Sequence, residues 1–133
     1  MKQVFGDKKC VACVGAMATN SSVEEFEKFV GKKAPFSDID LYKYLLSKGY
    51  LLGYGMENKD EIILNEKMKI QIEWKMEGTP CYILVVSETQ KETPHAIYWD
   101  GARVFDPNPK TKDGRELCSY KILFVYPISK IGD

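Results

Sequence analysis

Apolar residues recur at helical spacing in the first third of the chain. The small, apolar run from Cys10 to Thr19 predicts a buried helix. A second helix is predicted over Ser22 to Val30, with Ser21 or Ser22 at its N-cap and Gly31 at its end. The apolar stripe of this second helix consists of Val23, Phe26, Phe29 and Val30.

A third helix is predicted from Asp38 to Lys48. Ser37 stands at the N-cap position, and Gly49 follows the last periodic residue. The apolar stripe of this helix is predicted to be Ile39, Tyr42, Leu45 and Leu46. The pattern therefore places three helices before residue 50.

The period changes to two after Tyr50, which indicates β-structure. Met68, Ile70, Ile72 and Trp74 alternate with Lys67, Lys69, Gln71 and Glu73, as in a half-buried strand. Further strands are predicted at Cys81 to Ser87, Ala96 to Trp99, Ala102 to Phe105 and Tyr120 to Tyr126. The polar segment from Asn108 to Leu117 is predicted to be an exposed loop. Helices followed by antiparallel strands are typical of the α+β class.

Composition and charge narrow the possible partners. The 133 residues are 44% hydrophobic, which is typical of a single domain spanning 1–133. Lys+Arg and Asp+Glu both total 19, so we expect neither a nucleic-acid nor a membrane partner. No apolar run is long enough to span a bilayer or to resemble a signal peptide, so a cytoplasmic location is expected. The four cysteines are then expected to be thiols.

The segment from His95 to Asp106 predicts a β-hairpin with a catalytic pair of side chains. Asp100 and Gly101 are typical of a two-residue primed turn. That turn pairs Trp99 with Ala102 and places His95 directly opposite Asp106. A carboxylate beside an imidazole fixes its tautomer and stabilises its charged form, as a general base requires. The alternative is that His95, the single histidine of the chain, is structural.

Cys10 is the candidate nucleophile. It stands in the predicted first turn of the first helix, where the helix dipole and the backbone amides favour a thiolate. Cys13 lies about one helical turn further in, where access is poorer. A small buried hydrophobic role is the alternative for Cys10 and the more plausible role for Cys13, Cys81 and Cys118.

Several segments together resemble a known family. They are Gln3, Cys10 to Thr19, Ser22 to Phe26, Lys48-Gly49-Tyr50, His95 to Gly101, and Val104 to Pro107. This arrangement resembles the papain-like cysteine peptidases, in particular the bacterial and phage peptidases that trim double-glycine leaders. The resemblance implies a papain-like fold, with N-terminal helices packed on a C-terminal antiparallel sheet.

The resemblance also implies an activity and its residues. Cys10 would be the nucleophile, His95 the base and Asp106 the group that orients the base. Gln3 would form the oxyanion hole with the backbone amide of Cys10. The implied activity is a cysteine hydrolase or acyl-transferase that acts on peptide, isopeptide or related amide bonds through a thioester. A peptide or protein substrate is expected, with no cofactor and no metal; the oligomeric state is left open.

Three alternatives remain at this stage. Val11 stands where the leader peptidases usually carry glycine, and Gln3 lies one residue further from Cys10 than in those peptidases; both features fit a degenerate papain-like interaction module. Cys10 and Cys13 form a C-x-x-C motif, which predicts a thiol redox protein. Cys10, Cys13, His95 and Cys118 are also possible ligands of a structural zinc ion.

Overall fold

The predicted α+β class is confirmed by a computed structural model, which describes residues 8–57, 76–87, 94–111 and 115–131. The helices are α1 (Cys10–Thr19), α2 (Val23–Val30) and α3 (Asp38–Ser47). The strands are β1 (Tyr50–Leu52), β2 (Met56–Glu57), β3 (Cys81–Val85), β4 (His95–Trp99), β5 (Val104–Phe105) and β6 (Ile122–Lys130). A short 3₁₀ helix, Leu117–Ser119, precedes β6.

The ends of the helices follow the predicted capping residues. Ser22 accepts a hydrogen bond from the backbone N–H of Glu25, and Gly31 ends α2 in the left-handed region with φ of 73°. Ser37 and Asp40 form a capping box at the start of α3. Local sequence is therefore sufficient to fix where α2 and α3 begin.

The buried face of α3 differs from the prediction. Leu41, Tyr44 and Leu45 are buried, whereas Ile39, Tyr42 and Leu46 are exposed. Both sets have helical spacing, so the pattern alone allows either face to turn inwards. Contacts with the other helices decide, because the Tyr44 hydroxyl hydrogen-bonds to Ser21 and the Tyr44 ring packs on Phe26.

The described strands form one antiparallel sheet in the order β1-β6-β3-β4-β5, with β2 also paired to β6. Strand β6, although late in the chain, lies between β1 and β3. It begins two residues after the predicted Tyr120 and continues beyond Tyr126. Pro127 does not end β6, because its carbonyl accepts a hydrogen bond from the Gly53 N–H at 2.7 Å. The strand predicted around Met68 to Trp74 lies outside the described residues.

The sheet has a hydrophobic core on each face. On one face, α1, α2 and α3 pack against Tyr82, Leu84, Ala96 and Tyr98. On the other face, Ile83, Val85, Ile97 and Trp99 pack with Met76, Leu117, Tyr120 and Ile122. Leu117 is 1% exposed, so the prediction of an exposed loop is wrong at this end of Asn108 to Leu117. Strand β4, which begins at His95, lies in the sheet between these two cores.

Replacing Gly15 by alanine is expected to destabilise the protein by about 1 to 2 kcal/mol. A Cβ at Gly15 would lie 2.8 Å from Phe26 Cδ2 and 3.2 Å from Leu41 Cδ1, and Phe26 is fully buried. Overpacking typically costs ~1–3 kcal/mol, which exceeds the gain of ~1 kcal/mol in helix propensity. Urea denaturation measures the change, and a midpoint equal to or above that of the wild type would contradict this packing.

Candidate active site

The connection between β4 and β5 is longer than predicted. Asp100 Oδ1 accepts hydrogen bonds from the backbone N–H groups of Ala102 and Arg103, at 2.8 and 2.7 Å. The Asp100 N–H donates to the Arg103 carbonyl at 3.1 Å, which closes the loop. The two-residue turn is therefore wrong, because the Asp100 side chain binds the following amides and stabilises a wider connection.

The wider loop changes the pairing of the two strands. Trp99 pairs with Val104 and not with Ala102, and Tyr98 pairs with Phe105. The predicted direct opposition of His95 and Asp106 is thus wrong. Continued by one residue, the observed register puts Asp106 opposite Ile97, which is two residues from His95 on the same face.

The predicted contact between His95 and Asp106 is nevertheless present. His95 Nε2 and Asp106 Oδ1 are 2.5 Å apart. The exposed fraction of the side chain is 15% for His95 and 4% for Asp106. A shift of two residues along a strand keeps a side chain on its face, so the diagonal pair replaces the directly opposed pair.

Asp106 receives hydrogen bonds from two further segments. The backbone N–H of Asn108 donates to Oδ1 at 2.8 Å, and the Tyr120 hydroxyl donates to Oδ2 at 2.7 Å. Burial raises the pKa of Asp106, but the bonds from His95, Asn108 and Tyr120 outweigh it and hold this pKa below its ordinary value. The carboxylate is therefore ionised while buried.

His95 joins this carboxylate to Cys10. Cys10 packs with the helix-side core, while Tyr120 belongs to the core on the other face of the sheet. In the described residues, β5 pairs with Tyr98 and Trp99 and ends before it reaches His95. With Nε2 bonded to Asp106, Nδ1 is the ring nitrogen left to interact with the Cys10 side chain, which contributes to the raised pKa of His95.

The surroundings of His95 stabilise its charged form. Burial lowers its pKa, but hydrogen bonds and charge from Asp106 and Cys10 raise it from the ordinary value of 6.5 to about 9. The imidazole is consequently protonated at neutral pH. An imidazolium in this position can stabilise a neighbouring negative charge.

Cys10 is the first residue of α1 and is partly exposed. The backbone N–H groups of the first turn face the same end of α1 as the thiol, and Lys9, at the N-cap, makes no side-chain capping bond.

The Tyr82 side chain interacts with both Cys10 and Asp38. Its hydroxyl donates to Asp38 Oδ1 at 2.7 Å. Burial, Asp38 and the charge of Cys10 all raise the pKa of Tyr82.

The other described thiols lie in different environments. Cys13 is fully buried in α1, and Cys81 is 2% exposed. Burial raises the pKa of Cys81 to about 11, which keeps this thiol protonated and inert at neutral pH. Cys10 is thus distinguished from both by its exposure and by its imidazole partner.

The structure brings together Cys10, His95 and Asp106, the three residues predicted to form the site. Gln3 lies outside the described residues. Sequence reasoning missed two donors to Asp106. The Asn108 amide has a local signal, because an aspartate commonly accepts from the N–H two residues later. Tyr120 has no local signal, since it meets Asp106 only through the tertiary fold.

Comparisons of the chain with protein-family models, with curated proteins and with solved structures gave no significant match. None of the helices in the described part of the chain has the length and apolar character needed to cross a membrane. Within residues 8–57, 76–87, 94–111 and 115–131, no three His, Cys, Asp or Glu side chains are grouped so as to bind a metal ion. Any functional assignment therefore depends on the geometry around His95.

Proposed function

We propose that this chain is a papain-like cysteine hydrolase that cleaves a peptide or related amide bond through a thioester. The observation that carries the proposal is the contact of one imidazole with both a partly exposed thiol and a buried carboxylate. Nucleophile, base and orienting group stand in the order that covalent acyl transfer requires.

The first half of the reaction forms the thioester. The Cys10 thiolate attacks the carbonyl carbon of the substrate, and the carbonyl electron pair moves to oxygen. The first amides of α1 would donate to this oxyanion, with Gln3 as a proposed second donor. The His95 imidazolium then gives its proton to the leaving nitrogen as the C–N bond breaks. The products of this half are a free amine, a neutral imidazole and the Cys10 thioester.

The second half regenerates the enzyme. Neutral His95 removes a proton from water, and the resulting hydroxide attacks the thioester carbonyl. Collapse of the tetrahedral intermediate releases a carboxylic acid and the Cys10 thiolate, beside a reprotonated His95. Asp106 retains its negative charge and holds the tautomer throughout.

The redox alternative is less well supported by the positions of the cysteines. A C-x-x-C redox pair requires the second thiol to attack a mixed disulfide on the first. Cys13 is fully buried among the apolar residues of α1. This location suits a packing role, and an exchange between Cys10 and Cys13 would make no use of the His95–Asp106 pair.

Alkylation by iodoacetamide tests the proposal. At pH 7, we expect Cys10 to react at least about tenfold faster than Cys13, Cys81 or Cys118, because only a thiolate is nucleophilic. Peptide mass spectrometry at several times gives the rate for each site. His95→Ala should remove the advantage of Cys10, and Tyr44→Phe, which removes a hydroxyl bonded to Ser21 at a buried position, serves as the control.

The same samples distinguish the alternatives. Equal rates at all four cysteines, unchanged by His95→Ala, would refute the hydrolase proposal and favour an interaction module. A disulfide between Cys10 and Cys13 that forms reversibly in a glutathione buffer would favour the redox reading. Trapping of an acyl group on Cys10 from a peptide thioester would support the covalent route directly.

A further inference from the structure

We propose that Tyr120 is a positioning residue that holds the Asp106 carboxylate against His95. This inference deepens the proposed function and rests on it for the catalytic meaning of the His95–Asp106 pair. The orientation of the buried Asp106 carboxylate can be tested separately from catalysis.

The two carboxylate oxygens of Asp106 have different donors. Oδ1 meets His95 Nε2 at 2.5 Å and accepts from the Asn108 N–H at 2.8 Å. Oδ2 accepts from the Tyr120 hydroxyl at 2.7 Å. A donor on Oδ2 fixes the rotation of the carboxylate plane, and this rotation decides whether Oδ1 points at His95.

Asp106 lies just beyond the end of β5, and this short strand constrains it weakly. Strand β5 contains only Val104 and Phe105, and Phe105 is exposed. The Asn108 amide lies two residues after Asp106, so it moves with the same loop and cannot fix the loop relative to β4. Tyr120 donates to Oδ2 from a separate part of the fold, fourteen residues further along the chain.

Tyr120 is itself held firmly. It is 3% exposed and packs in the hydrophobic core beside β3 and β4. The Arg115 guanidinium lies 3.9 Å from the centroid of its ring, and this guanidinium is bonded to the Ser119 hydroxyl and carbonyl at 2.8 and 3.1 Å. The hydroxyl of Tyr120 therefore has a fixed position from which it orients Asp106.

Tyr120→Phe tests the inference because it removes the hydroxyl and keeps the ring. We expect the pKa of His95 to fall by roughly one unit, since a rotated carboxylate pairs less well with the imidazolium. Alkylation of Cys10 at pH 7 should slow by roughly tenfold for the same reason. His95 is the single histidine of the chain, so its ring signals in a ¹H–¹⁵N NMR titration are unambiguous.

Tyr44→Phe is the matched control. Tyr44 is 1% exposed and belongs to the helix-side core, and its hydroxyl is hydrogen-bonded to Ser21, whereas Tyr120 belongs to the core on the other face of the sheet. Both variants lose one buried phenol hydrogen bond, so both are expected to lose some stability. Only Tyr120→Phe should move the titration of His95.

Two results would overturn the inference. One is a His95 pKa in Tyr120→Phe that equals or exceeds the wild-type value. This would mean that the hydroxyl bond only reduces the negative charge that Asp106 presents to His95 and does not orient the carboxylate. The other is an equal shift in Tyr44→Phe, which would indicate general loosening. The two proposals can also fail separately. If Tyr120→Phe lowers the pKa of His95 as expected but Cys10 of the wild type is unreactive, the positioning role would be supported and the hydrolase proposal refuted.

Discussion

Asp106→Asn is expected to slow the alkylation of Cys10 at pH 7 by about a hundredfold, because loss of the carboxylate should lower the pKa of His95 by about two units. In the native protein, Asp106 is among the main groups that raise this pKa to about 9 against the opposing effect of burial. An asparagine amide group that faces His95 Nε2 would also donate to it, which favours the tautomer with the proton on Nδ1. Such a histidine cannot accept the proton of Cys10.

Asp100→Asn is the control for this substitution. Asp100 lies in the β4–β5 connection, before the strand that Asp106 follows, and its Oδ1 accepts from backbone amides, a role that an asparagine oxygen can fill. This variant should retain the rate of Cys10 alkylation within about twofold, because substitutions of exposed residues usually have small effects. Equal rates for Asp106→Asn and the wild type would show that Asp106 does not support the reactivity of Cys10.

The contribution of His95 to stability is expected to fall by about 3 kcal/mol between pH 6 and pH 9.5. The pKa of His95 is raised on folding from 6.5 to about 9, so the folded state binds the proton more tightly than the unfolded state does. The resulting stabilisation is fully present below about pH 6.5 and decreases by about 1.4 kcal/mol per pH unit until about pH 9. The lowered pKa of Asp106 acts at the other end of the scale, where its stabilisation is lost as the pH falls below about 4.

His95→Gln isolates this effect from other titrating groups. The free energy of unfolding is measured by urea denaturation for both proteins at pH 6 and pH 9.5. The advantage of the wild type over His95→Gln should be about 3 kcal/mol larger at the lower pH. A difference that stays constant with pH would show that the folded state does not raise the pKa of His95.

The meeting of His95 and Asp106 was predictable although the predicted turn was wrong. The observed pairing differs from the predicted one by two residues, since Trp99 pairs with Val104 in place of Ala102. Side chains in a strand alternate between faces, so an error of two residues preserves the face and an error of one reverses it. The sequence thus predicts which residues share a face more reliably than it predicts the length of the loop between them.

Other features could not be predicted because they depend on contacts between distant segments. Two stripes of α3 have helical spacing, and only packing against α1 and α2 selects Leu41 and Tyr44 over Ile39 and Tyr42. Tyr120 has the sequence pattern of an ordinary residue at the start of a strand, and its bond to Asp106 joins two segments that meet only in the folded chain. By contrast, the caps of α2 and α3 are local and match the prediction.

The central place of β6 affects when a newly synthesised chain can acquire reactivity. Because the ribosome makes Cys10 first and β6 more than a hundred residues later, the thiol emerges long before the strand that joins β1 to β3. Contacts so distant in sequence form late and slowly. On the mechanism proposed above, Cys10 would therefore become a reactive nucleophile only after β6, which ends at Lys130, has been made and has paired in the sheet.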